Sequence, residues 1–109
     1  MRILLDECID QRLRLLFARP ECQAAGYAKL SGLKNGVLLA AAESAGFEVL
    51  LTTDQEIPYQ QDLSLRRTSI LILCAPTNRL VDLQRLAPAI LQALESIAPG
   101  QVIRIECAT

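Results

Sequence analysis

Two short apolar runs in this chain each end abruptly on an acid: Ile3-Leu4-Leu5 before Asp6, and Val49-Leu50-Leu51 before Thr52-Thr53-Asp54. An apolar run of this length with no polar alternation is a strand buried on both faces, and such strands belong to parallel sheets covered by helices. Helical periodicity between the runs supports that choice. Apolar positions at Ile9, Leu13, Leu16 and Phe17 predict an amphipathic helix over residues 9–18, ending before Pro20. A weakly apolar stretch over 22–28 predicts a short second strand. Asn35 can N-cap a helix over 37–45 that Gly46 stops.

The second half repeats the alternation. Residues 47–53 predict a third strand, and 69–74 a fourth that is buried throughout; residues 60–67 are polar and helical only in part. The longest helical pattern covers 79–97, with Leu80, Leu83, Leu86, Ile90, Leu91 and Leu94 on one side, and Pro88 should kink or split it. Over 101–107, Val102, Arg104 and Glu106 alternate with Ile103 and Ile105, which predicts an edge strand with one solvated face. The expected architecture is a single α/β domain over 1–109, with right-handed β-α-β units and a ligand edge outside the carboxyl ends of the strands.

Composition narrows the chemistry. With 109 residues and 51% hydrophobic content the chain can close one core, while 4% aromatics and no Trp leave little for base stacking. A net charge of −1 gives no whole-molecule attraction for a polyanion. The absence of His removes Ser-His and Cys-His dyads and His-ligated metals from the chain. Cys8, Cys22, Cys74 and Cys107 have no C-x-x-C or zinc spacing and read as reduced core residues, small hydrophobes buried in the interior. Met1 leads directly into the first strand without a signal-like segment, and no apolar run reaches bilayer length, which predicts a cytoplasmic chain.

Carboxylates therefore carry the candidate chemistry. If the strands ending in Asp6 and Asp54 are neighbours, the two acids can share a hard divalent cation such as Mg²⁺ or Mn²⁺, which takes oxygen ligands and keeps several waters. The competing assignment makes both acids turn or helix caps. Glu7 joins the cluster only if a local turn redirects it. Glu43, two turns after Gly36, is a further candidate ligand and otherwise a solvated helix acid. Arg79 and Lys34 are candidate phosphate contacts, Lys34 with the help of a helix N-terminus. The 32–36 loop lacks the Walker A order.

Three segments, Met1-Arg-Ile-Leu-Leu-Asp-Glu-Cys, Gly32-Leu-Lys-Asn-Gly-Val-Leu-Leu and Val49-Leu-Leu-Thr-Thr-Asp-Gln, stand in an order that resembles the PIN-like proteins of unknown function grouped with toxin-antitoxin ribonucleases. The resemblance implies a PIN-like three-layer sandwich with a mostly parallel sheet of four or five strands and helices on both faces. It also implies an acidic Mg²⁺ or Mn²⁺ site for RNA cleavage. Asp6 and Asp54 match the proposed catalytic metal ligands, and Glu7 the acid that often follows the first. Where many relatives carry an acid at the start of the second helix, this chain has Asn35, a neutral oxygen ligand that lowers the charge of the site; Glu43 or a partner chain would then complete it. The family resemblance further implies an antitoxin or a second copy of the chain as partner.

The alternative from another class is a catalytically degenerate PIN-like domain or a receiver-like module used for regulation or binding, since receivers also place acids after the first and third strands. Receivers need a Lys after the last strand, and the lysines here are Lys29 and Lys34.

Overall fold

The structure is a computed structural model that describes residues 2–17, 22–24, 32, 35–54, 67–77 and 79–106. Five strands run in the order β2-β1-β3-β4-β5: β1 Ile3–Leu5, β2 Cys22–Ala24, β3 Val49–Thr52, β4 Ser69–Cys74 and β5 Val102–Glu106. Every pairing is parallel, with Ile3 opposite both Cys22 and Val49, Val49 opposite Ser69, and Ile70 opposite Val102. The apolar runs account for this directly, because β1, β3 and most of β4 are buried on both faces.

Side-chain alternation divides the core in two. Ile3, Leu5, Val49, Leu51, Leu71, Leu73 and Ile105 face a layer made by Ile9, Leu13, Leu83, Leu86 and Ile90. Leu4, Leu50, Ile70 and Ile72 face the other, under Leu38, Leu39 and Ala42 of α1, Asn35–Ser44. Helices thus lie on both faces, and the fold is a three-layer α/β sandwich.

α1 ends as Gly46 predicts. Gly46 adopts φ +85°, its N–H donates to the Glu43 carbonyl at 3.0 Å, and the Phe47 N–H donates to the Ala42 carbonyl at 3.0 Å, so the last carbonyls are satisfied by a Schellman turn. Arg2 reinforces it: the guanidinium donates to the Ala45 carbonyl at 2.5 Å and stacks 4.6 Å from the Phe47 ring centre.

Pro88 splits the long helix into α2, Leu80–Gln84, and α3, Ala87–Ser96. Proline stands in the first turn of α3, where a missing N–H leaves no intrahelical bond unmade. β5 shows the expected edge pattern, with Ile105 buried and Val102, Arg104 and Glu106 exposed. β2 is three residues long; the rest of 22–28, the segment 60–67 expected to be helical in part, and Cys107 fall outside the described residues or largely so.

Two expectations are corrected. In place of the helix expected over 9–18, the described residues 9–17 form no α-helix but a 3₁₀ segment, Gln11–Leu16, with Leu13 N–H bonded to the Asp10 carbonyl and Phe17 N–H to that of Arg14. Leu15 is left 75% exposed.

The handedness also departs. The β1-to-β2 and β4-to-β5 connections both lie on the Leu13–Ile90 face but step across the sheet in opposite directions, so they have opposite hands and cannot both be right-handed. The 3₁₀ segment is too short to cover Leu71, Leu73 and Ile105 as well as β1, and α2 with α3 fill that side.

Gly46→Ala places a Cβ 2.9 Å from the Arg2 guanidinium nitrogen at a left-handed φ. Urea denaturation should show it less stable by about 1–2 kcal/mol with an unchanged slope. Asp10 caps the 3₁₀ segment and pairs with Arg12 at 2.6 Å. The Arg12 side chain and backbone N–H hold its carboxyl at about 2, below the ordinary 3.8. A lowered native value favours folding above pH 3.8, and that contribution should fade as pH falls through about 2. An NMR titration should find the Asp10 midpoint there, and Arg12→Ala should raise it.

Candidate functional site

Parallel pairing of β1 with β3 brings Asp6 and Asp54 to one edge, since each follows its strand at the carboxyl end. The Asp6 N–H continues the ladder, donating to the Leu51 carbonyl at 2.9 Å. Asp6 Oδ1 accepts the Glu7 N–H at 2.7 Å, and Oδ2 accepts the Thr52 hydroxyl at 2.7 Å. Thr52 Oγ1 in turn accepts the Asp54 N–H at 3.0 Å. One fully buried hydroxyl therefore links the two strand tips. Asp6 and Asp54 are both half-buried, which limits competition from bulk water without removing access.

The Asp6 carbonyl closes a local turn by accepting the Ile9 N–H at 3.0 Å, its Oδ1 is held by the adjacent Glu7 N–H, and its Oδ2 is aimed across the strand gap. Of the cysteines expected in the core, Cys22 is buried and Cys74 half-buried, but Cys8 is exposed and lies beside the two acids, its Sγ accepting the Thr53 hydroxyl at 3.1 Å and standing 3.8 Å from Thr52 Oγ1. Glu7 also follows the tip of β1, and its carboxylate accepts the Gly32 N–H at 2.5 Å, tying β1 to the connection ahead of α1. Gly32 has φ +85°, a conformation that side chains rarely adopt.

The remaining candidates separate. Glu43 is not at this edge: α1 runs back along the sheet, and the ninth of its ten residues lies near the amino end of β4, where Glu43 Oε2 accepts the Arg67 N–H at 2.9 Å. Eight residues of helix cover about 12 Å, enough to carry Glu43 across the sheet. Arg79 does follow β4 at the carboxyl edge, is exposed, and donates its N–H to Thr77 Oγ1 at 3.1 Å just before α2. Lys34 and the Asn35 side chain lie outside the described residues.

The missed residue is Thr52. Its signal was available: a hydroxyl that ends a fully buried strand must find partners, because burying it unbonded is costly. A cleft of about 330 Å³ opens at the opposite edge among Glu43, Phe47, Glu48, Arg67, Thr68 and Ile97. Its buried Thr68 hydroxyl donates to the Phe47 carbonyl at 2.9 Å, a bond that secures the turn into β3.

Two carboxylates on adjacent strand tips offer hard oxygen donors to a cation that keeps its waters. Among the described residues no group of three or more His, Cys, Asp or Glu stands together as a metal cage. None of the helices described is long and apolar enough to cross a membrane. Comparison with protein-family models, curated proteins and solved structures gives no match for the chain.

Glu43→Gln should leave any Mn²⁺-dependent rise in melting temperature unchanged, because the side chain is held at the far edge. A scanning melt in EDTA and in Mn²⁺ checks this, and loss of the rise would place Glu43 at the acidic site.

Proposed function

We propose that this chain is a divalent-cation-dependent ribonuclease of the PIN-like, toxin-like kind, with Asp6 and Asp54 as its metal-holding pair. The observation that carries the proposal is the position of the two acids. β1 leads outward to β2 on one side, whereas β3, β4 and β5 follow on the other, and ligands of open α/β sheets bind outside the carboxyl ends where the strand order reverses.

Mg²⁺ or Mn²⁺ bound there would polarise a phosphodiester and make an adjacent water more acidic. The residues of the chain have separate tasks. Asp6 and Asp54 supply hard oxygens, Thr52 holds the first of them and the backbone of the second, and Arg79 offers a positive charge to an RNA phosphate at the same edge. Glu7 keeps the neighbouring connection close to the tip of β1. A second copy or an antitoxin covering the acidic edge would regulate access to it.

The receiver-like reading is disfavoured by the lysines, since Lys29 and Lys34 both precede the last strand and a receiver needs one after it.

Melts in EDTA, Mg²⁺ and Mn²⁺ test the cation, since a ligand of the folded state stabilises by about 2.7 kcal/mol at about a hundredfold excess over Kd. We expect a rise in Mn²⁺ that disappears in Asp6→Asn. Asp54→Asn should abolish Mn²⁺-dependent cleavage of a labelled RNA while melting in EDTA no lower than the parent. Undiminished cleavage by that variant would refute the assignment.

A further inference from the structure

We propose that Thr52 is the positioning residue of the acidic site, the group that sets where Asp6 and Asp54 stand relative to one another; this rests on the metal-site reading above. A hydroxyl has one proton to give. Here it goes to Asp6 Oδ2 at 2.7 Å, so the oxygen is left to accept, and it accepts the Asp54 N–H at 3.0 Å. The direction of both bonds is thereby determined, and a single atom couples the side chain at one strand tip to the backbone at the other.

The surroundings hold Thr52 rigid. It is fully buried at the last position of β3, in register with Ile72 of β4 and on the same face as Leu50, within a strand whose every residue is buried. Its β-branched side chain has few rotamers to choose from. The same face is packed by Leu38 and Leu39, so a valine would suit the volume and the strand, and packing alone gives no reason for a hydroxyl. The polar choice is accounted for by its partners, all at the candidate site: Asp6, Asp54 and, at 3.8 Å, the Cys8 thiol. Residues that orient a metal-holding carboxylate typically change metal affinity by about 10- to 100-fold when replaced.

The test compares Thr52→Val with Thr52→Ser by isothermal titration of Mn²⁺ alone, beside melts in EDTA. Thr52→Val should bind Mn²⁺ about 10- to 100-fold more weakly than the parent. Thr52→Ser, which keeps the hydroxyl and loses only a methyl, should restore most of the affinity even where its EDTA melt is the lower of the two. Equal Mn²⁺ affinity in Thr52→Val and the parent would overturn the positioning role while leaving the metal site standing. Equal losses in both variants would overturn it in favour of packing. A parent protein that takes up no Mn²⁺ would instead overturn the metal-site reading on which the proposal rests.

Discussion

The parallel pairing of β1 with β3 is the interaction on which the rest of the structure depends. Three residue pairs, Ile3 with Val49, Leu4 with Leu50 and Leu5 with Leu51, bring together segments distant in the chain, and the ladder continues one step further through the Asp6 N–H. Strands β1 and β3 occupy the middle of the sheet, with β2 outside one and β4 and β5 outside the other. Each of the paired residues is buried, so a slip of one position would exchange the two faces of the core and move Thr52 out of reach of Asp6. The candidate site is thus a consequence of register.

Coverage of the two faces follows from the same alternation. α1 covers Leu4, Leu50, Ile70 and Ile72, and the segments after β1 and β4 together cover the other face. The sharing of one face by the first and last connections breaks the usual handedness, and it does so where one connection is a 3₁₀ segment and the other a helix pair split by proline. Because α1 descends from the carboxyl edge to the amino edge, residues early in it lie nearer the acids, and Glu43, late in it, is held by Arg67 at the far edge.

Much of this was legible before any geometry. β4 occupies the predicted residues, Gly46 ends α1 through a left-handed turn, and Pro88 divides the long helical pattern. These elements are governed by local rules: an unbroken apolar run, a residue free to take positive φ, a residue without an N–H. The expectation of a first α-helix came from the α-helical spacing of Ile9, Leu13 and Phe17, while the 3₁₀ segment itself starts from Asp10, whose side chain accepts the Arg12 N–H. The Glu43 assignment rested on helical face alone, which ignores how far along the helix a residue stands.

By itself the sequence determined that strands and helices alternate, that β1, β3 and most of β4 are buried on both faces while β5 is an edge, and that acids follow two of the strands, since each of these is a local matter of hydrophobicity and backbone preference. Only the tertiary structure decided that β1 and β3 are neighbours, that the last connection returns to the face of the first, and that Thr52 joins Asp6 to Asp54. Those outcomes depend on contacts between residues far apart in the chain, where burial and hydrogen-bond satisfaction are settled for the whole sheet at once and no local pattern encodes the choice of partner.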